Sequence, residues 1–85
     1  MSLVQTYSVE ALVEVSQILR ERSRRCGGKC LTSSVSIHKI IERRFGISRL
    51  SSAVIGTIII KQLVEKGMLE VWFQRPRKAI YRVVI

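Results

Sequence analysis

Two cysteines and one histidine are the side chains with the widest chemical range in this chain of 85 residues. Cys26 and Cys30 lie in the segment Cys-Gly-Gly-Lys-Cys, and His38 follows shortly after them. A tetrahedral zinc site needs four ligands, so these three residues would form one only if a second copy of the chain supplied the rest. Redox enzymes use Cys-x-x-Cys at a helix N-terminus, whereas this pair is spaced more widely and follows a predicted helix. We therefore expect no metal and no cofactor.

The two thiols leave two alternatives open. Free thiols are the default expectation for a protein inside the cell. A local disulfide between Cys26 and Cys30 is the other, because the two intervening glycines let a turn bring the sulfur atoms together. The chain contains no Asn and no Asp, which is typical of heat-adapted organisms, where intracellular disulfides are tolerated.

Catalytic residue patterns are missing from the sequence. There is no Asp, and the single histidine has no obvious Ser or Cys partner, so no catalytic triad is predicted. His38 is expected to face solvent or to pair with the backbone. Glu10 and Glu14 indicate a solvated helix face rather than paired catalytic carboxylates, and the chain has neither a phosphate loop nor a dinucleotide fingerprint. The protein is predicted not to be an enzyme.

Positive charge is the strongest feature of the composition. Fifteen Lys and Arg residues against six Glu give a formal net charge of +9. Such an excess indicates a polyanionic partner: nucleic acid first, an anionic membrane second, an acidic protein third. The excess lies in residues 20–30, 39–49 and 74–82, while residues 51–70 are neutral overall. Clustering of this kind is typical of a binding footprint.

Length and hydropathy predict one domain over residues 1–85, because so short a chain cannot divide its core in two. No apolar run approaches the ~20 residues of a membrane span, and Met1–Ser8 lacks the pattern of a signal peptide, so a cytoplasmic, nucleoid-associated protein is expected.

So small a core also favours a homodimer. Its expected contacts are Leu3, Val4, Tyr7 and Val15, with the apolar end Val83-Val84-Ile85.

Helical periodicity predicts three helices. Helix one is expected over residues 9–24, with Ser8 as N-cap. Its packed face is expected to carry Val9, Leu12, Val13, Ser16 and Leu19, and Val15 and Ile18 widen that face. Helix two is expected over 34–44, capped by Thr32, Ser33 or Ser34, with Gly46 at its left-handed exit. Helix three is expected over 52–66 with Ile55, Ile59, Ile60 and Leu63 in the core.

Extended segments surround helices two and three. Leu31-Thr32 predicts a short strand, and after Gly67 the apolar period changes from 3.6 to 2, which predicts a hairpin over 68–84 around Pro76. Phe45 and Tyr81 are expected in the core. Adjacent strand residues point to opposite faces, so either Trp72 or Phe73 should face away from the core, where it could stack on an unpaired base.

Two helices joined by a short turn and followed by a hairpin resemble the winged helix-turn-helix superfamily. The resemblance covers residues 31–84 and is strongest at Leu63-Val64-Glu65-Lys66-Gly67-Met68-Leu69 and Ile80-Tyr81. The chain looks like small archaeal DNA-binding regulators of the MarR-like and ArsR-like kind. It is also similar to the winged-helix ribosomal protein of archaeal and eukaryotic small subunits. The resemblance implies an α+β fold with three helices, a two-stranded wing and a possible short third strand.

In that fold the helix after the turn enters the DNA major groove and the wing reaches a neighbouring phosphate or minor groove. The expected nucleic-acid contacts are Ser51, Ser52, Thr57 and Lys61 on the recognition helix, Arg75, Arg77 and Lys78 on the wing, and Arg43, Arg44 and Arg49 beside the turn.

The expected outward stripe of the recognition helix runs through Ala53 or Val54, Thr57, Ile58 and Lys61. It lacks the Arg, Asn and Gln side chains that discriminate bases, so phosphate contacts and shape should dominate. The expected function is a DNA-binding transcription regulator or chromatin-associated factor. One alternative is an RNA-binding or ribosome-associated protein. The other is a protein-interaction module, in which Val54 and Ile58 pack against a partner.

Overall fold

The computed structural model describes residues 3–27, 30–76 and 78–84, with side chains from Ser8 onward. Its elements are α1 (Leu3–Arg25), β1 (Leu31–Ser33), α2 (Ser34–Phe45), α3 (Arg49–Glu65), β2 (Leu69–Arg75) and β3 (Lys78–Val83). The strands form one antiparallel sheet in the order β1-β3-β2. The α+β class and the short third strand are confirmed, and the topology is compatible with a winged-helix-like arrangement.

Helix α1 packs on a face that only partly matches the predicted one: Val15 and Leu19 are buried as expected, and Leu12 packs against the core. Ala11, Val15 and Leu19 are fully buried, whereas Val9 and Val13, expected on the packed face, are 66% and 53% exposed. The buried face also carries Ser8 and Ser23, whose small side chains let the helix approach its neighbours closely. Ser8 lies inside the helix rather than capping it, because α1 begins at Leu3. Val15, expected at a dimer interface, is inaccessible.

Helix α2 follows the prediction closely. Ser33 is its N-cap and accepts a hydrogen bond from the Ser36 backbone N–H at 3.1 Å. Ile37 and Ile41 are buried in the core. The helix ends at Gly46, which has a φ of 59° and donates its N–H to the Glu42 carbonyl. A left-handed residue at this position favours glycine, because a Cβ would be strained there.

Helix α3 begins three residues earlier than predicted. Ser48 is the N-cap, and its Oγ accepts the Ser51 backbone N–H at 3.2 Å. The predicted core positions are confirmed: the buried apolar residues are Ile55, Ile59, Ile60 and Leu63. Phe45 and Ile47, on either side of the turn between α2 and α3, are half-buried against the same core.

The sheet pairs β3 with both other strands. Thr32 of β1 lies opposite Tyr81, and Val71 of β2 lies opposite the same residue from the other side. Leu69 and Val83 are buried at the base of the hairpin, so Val83 is unavailable for the expected dimer contact. Tyr81 is half-buried at the margin of the core rather than inside it.

Among the described residues, no single helix has the length and hydropathy needed to cross a membrane. Helices α2 and α3 reach those values only when they are taken together, and they are bent by 119° relative to each other.

Candidate nucleic-acid interface

Helix α3 exposes one narrow face. Val54, Thr57 and Lys61 are exposed at helical spacing, while Ala53 and Ile58 are half-buried beside them. The Thr57 hydroxyl donates to the Ala53 carbonyl at 2.9 Å within the same helix. Its proton is therefore already used, and what it can offer a ligand is its methyl group and its oxygen lone pairs.

The two serines predicted as phosphate contacts differ in accessibility. Ser52 is fully buried, and its hydroxyl donates to the Ser48 carbonyl at 2.8 Å, so its side chain cannot meet a ligand. That prediction is wrong because the helix starts earlier and places Ser52 on the inward side. Ser51 is exposed, and its hydroxyl accepts from the Ser48 hydroxyl at 3.0 Å. Of the pair, only Ser51 can reach a phosphate through its side chain.

A groove runs between α3 and the hairpin. It has a volume of about 460 Å³. Its helical wall includes Thr57 and Lys61, and its strand wall includes Val71, Gln74 and Tyr81. Two of the predicted recognition-helix contacts thus share one continuous surface with the hairpin of β2 and β3, which is called the wing below.

The wing carries its positive charge at the tip. Arg75 and Lys78 lie directly opposite each other in the strand register, and both are exposed. The Arg75 guanidinium lies over the Phe73 ring, 5.0 Å from its centroid. A cation held over a ring face is oriented without losing its charge. Arg77, predicted as a third wing contact, lies outside the described residues.

Both aromatic residues of β2 are exposed, Trp72 by 60% and Phe73 by 41%. The sequence predicts that only one of them faces away from the core. The pairing with β3 shifts between Val71 and Phe73, which leaves Trp72 as the extra residue of a bulge. A bulge bends its strand away from the regular alternation, and the outer part of β2 extends beyond the core.

The predicted backbone-clamping arginines separate into two groups. Arg49 is exposed in the first turn of α3. Arg43 and Arg44 instead line a different groove of about 300 Å³, between α1 and α2. Its other lining residues are Ile18, Glu21, Arg22, Arg25 and Ile40. No binding role was predicted for Arg22 or Arg25 from the sequence, although the charge excess in residues 20–30 was a signal for them.

Cys26 and Cys30 form a disulfide, with their Cα atoms 5.6 Å apart. The structure therefore contains the disulfide, which was one of the two alternatives, and not the free thiols that were the default expectation. Cys30 Sγ lies 3.2 Å from the Arg22 carbonyl oxygen. A disulfide sulfur has no proton to donate, so this is a packing contact. The bond ties the end of α1 to the start of β1.

In the part of the chain that is described, no group of three potential metal ligands occurs.

His38 neither faces solvent freely nor pairs with the backbone, so that prediction is wrong. The ring is half-buried against Gly56 of α3, and among the described residues its Nε2 has no hydrogen-bond partner. Burial lowers the pKa of His38 below its ordinary value of 6.5, because the charged imidazolium is desolvated. A neutral imidazole at this position belongs to the packing between helices rather than to a binding surface.

No family model, curated protein or solved structure matches this chain. Its function is therefore inferred from the fold and from the chemistry of its surfaces.

Proposed function

We propose that this protein is a non-enzymatic, double-stranded DNA-binding protein that uses the exposed face of α3 and the basic wing. The observation that carries the proposal is the groove shared by the two elements. Thr57 and Lys61 line it from the helix, and Gln74 lines it from the strand that ends in Arg75. A helix beside a projecting hairpin matches the widths of the major groove and the adjacent minor groove of DNA.

Among the described residues no cation on this surface forms an ion pair, although Glu65 also lines the groove. The described residues form two ion pairs, Arg25–Glu21 and Arg44–Glu14, and both lie outside α3 and the wing. Arg49, Lys61, Arg75 and Lys78 are all exposed. Unpaired exposed cations in a chain of net charge +9 are suited to phosphate oxygens, because binding releases the counterions condensed on DNA.

Base discrimination by this surface should be weak. The centre of the exposed face consists of Val54 and Thr57, flanked by the half-buried Ile58. None of these side chains makes the bidentate contacts that distinguish bases, and the Thr57 proton is used within the helix. Phosphate contacts and DNA shape therefore dominate the proposed mode of binding. This favours an architectural, chromatin-associated role over a repressor of one defined operator.

One observation favours a second candidate function, binding of RNA or single-stranded nucleic acid. Trp72 and Phe73 are both exposed on the strand that leads to Arg75. Exposed aromatic rings beside cations can stack on unpaired bases, at about 1–3 kcal/mol per base. A duplex offers no such bases, so the two functions are distinguishable by the choice of ligand.

The test is fluorescence anisotropy with three ligands of equal length: a random-sequence duplex, one of its strands, and a structured RNA. The informative variant is Arg75→Glu/Lys78→Glu, and its matched control is Arg20→Glu/Arg24→Glu on the exposed surface of α1. Both double variants lower the net charge by the same amount. We expect the tightest binding to the duplex and a larger loss of affinity in the wing variant than in the control. Tighter binding to the RNA or the single strand would instead support the second function.

A further inference from the structure

We propose that the groove between α1 and α2 is a second binding site for a DNA phosphate backbone, so that one chain can hold two duplex segments. This inference rests on the proposed DNA-binding function and adds bridging of duplexes to it. It starts from four guanidinium groups that two separate helices bring to one concave surface.

The arrangement of the groove suits a phosphodiester. Arg22 and Arg25 come from the last turns of α1, and Arg43 and Arg44 come from the last turn of α2. They surround an open groove of about 300 Å³ that Ile18 and Ile40 also line. A guanidinium presents its donors in a planar fork that matches two phosphate oxygens, which favours arginine over lysine for this purpose.

The carboxylates nearby do not neutralise this cluster. Of the described residues that line the groove, Glu21 alone is acidic, and it pairs with Arg25 at 3.0 Å. Arg44 Nε lies 3.9 Å from Glu14 Oε2, a long contact between half-exposed side chains. Within the described part of the chain, Arg22 and Arg43 have no ion pair. Exposed pairs of this kind contribute little to stability, so the arginines remain available to an anion.

The dipoles of the two helices offset only part of the positive charge of the four arginines. Arginines near a helix C-terminus are favourable because that end carries about half a negative charge. The ends of α1 and α2 together offset about one of the four positive charges, Glu21 offsets another, and the long contact with Glu14 offsets at most one more. A net charge of about +1 to +2 therefore remains in one groove, where an anion would relieve the repulsion between the arginines.

The disulfide fixes the α1 side of the groove before any ligand binds. Cys26 directly follows Arg25, and its bond to Cys30 anchors the end of α1 to the start of β1. Cys30 Sγ also contacts the carbonyl of Arg22. A covalent tie at the end of a helix reduces the ordering that Arg22 and Arg25 would otherwise undergo on binding.

The second groove is separate from the α3–wing surface. The two grooves share no lining residue. In the described residues, β2 packs against α3 and β3 but makes no contact with α1 or α2. The residues that a duplex would contact on α3 and the wing therefore include none of the arginines of the α1–α2 groove.

A bead assay tests this inference with the full chain. One duplex is immobilised, protein is bound to it, and a second, fluorescent duplex of different sequence is added. The wild type should retain the second duplex. The variant Arg22→Gln/Arg25→Gln should bind the immobilised duplex nearly as well and retain about tenfold less of the second, since two phosphate contacts are lost. The matched control, Arg20→Gln/Arg24→Gln, removes equal charge from α1 outside the groove and should bridge normally.

The outcomes separate the two proposals. If the wild type fails to bind the immobilised duplex, the proposed function itself is overturned. If it binds that duplex without retaining the second, only the bridging inference is overturned. Equal bridging by the groove variant would also overturn it, because a dimer with one site in each copy would then account for the two duplexes. Thermal melting of each variant by circular dichroism excludes misfolding as the cause of any loss.

Discussion

The imidazole ring of His38 lies directly against the backbone of Gly56, where α2 packs on α3. A Cβ at position 56 would clash with Cδ2 and Nε2 of the ring. Gly56 is buried within α3 and does not have a positive φ, so the missing side chain matters here, not its conformational freedom. This contact sets how closely the two helices approach, and hence how α3 is presented beside the wing.

Replacing Gly56 with Ala should destabilise the fold. Overpacking a tight contact typically costs about 1–3 kcal/mol, and the clash involves a ring confined between helices. The better helix propensity of Ala returns at most about 1 kcal/mol, so we expect a net loss. Urea denaturation followed by circular dichroism measures it, and the melting temperature should fall by about 4–8 °C for each kcal/mol lost.

The His38→Ala/Gly56→Ala double variant shows whether the ring is responsible. Removing the imidazole makes room for the new methyl group, so the double variant should lose less free energy of unfolding than the sum of the two single variants. Simple additivity would mean that the cost at position 56 arises elsewhere.

Mild acid should destabilise the protein through His38. Burial lowers the pKa of its imidazole, so the unfolded chain binds this proton more readily than the folded chain does. The stability contributed by the neutral ring is complete above about pH 6.5 and is lost as the pH falls from there toward the lower pKa of the folded state. Because the chain has one histidine, the urea midpoint between about pH 7.5 and 5 should isolate this effect. His38→Gln should flatten the profile, and an unchanged slope in that variant would exclude His38 as the source.

Loss of the disulfide should weaken the fold. Cys26→Ser/Cys30→Ser opens a five-residue loop, which the chain-entropy treatment values at about 2 kcal/mol. Wild-type protein treated with a reductant should reach the same lower stability, while the double variant should not respond to reductant. If oxidised wild type and double variant melted at the same temperature, the bond would have no stabilising role.

A negative charge on the exposed face of α3 should weaken DNA binding without unfolding the protein. Val54 and Val13 have the same exposure of 53%, one on α3 and the other on α1. Val54→Glu places a carboxylate toward the phosphates, so duplex affinity should fall about tenfold. Val13→Glu is the matched control and should bind like the wild type. Equal affinity of the two variants would count against α3 as the recognition helix.

The helices and strands were predictable where period and turn residues agreed. Leu63 and Ile59 follow the helical period, and Gly46 sits where a left-handed exit is needed, so the core of α3 and the end of α2 were predicted correctly. The start of α3 was not, because several serines near the turn are equally good caps in sequence. In the structure Ser48 is the cap, and a helix that starts there carries Ser52 on its buried side. This arrangement depends on tertiary packing.

The packed face of α1 was predicted only in part, since Val15 and Leu19 are buried as expected whereas Val9 and Val13 are exposed. Valines are more hydrophobic than Ser8, Ala11 and Ser23, yet the small residues allow close helix packing and leave Val9 and Val13 outside. At the surface, the charge clusters in sequence located the basic segments. They could not show that Arg43 joins Arg22 across two helices, since that proximity depends on the tertiary packing of α1 on α2.

The salt dependence of duplex binding tests the central claim most directly. If about four or five cations of the α3–wing surface each neutralise a phosphate, the logarithm of the binding constant should fall against the logarithm of salt concentration with a slope of about −4. Arg75→Glu/Lys78→Glu should make that slope shallower by about 2, while Arg20→Glu/Arg24→Glu should leave it unchanged. A steep slope that only the wing variant flattens is the result we predict. The same slope in all three proteins, or no duplex binding at low salt, would contradict DNA binding by this surface.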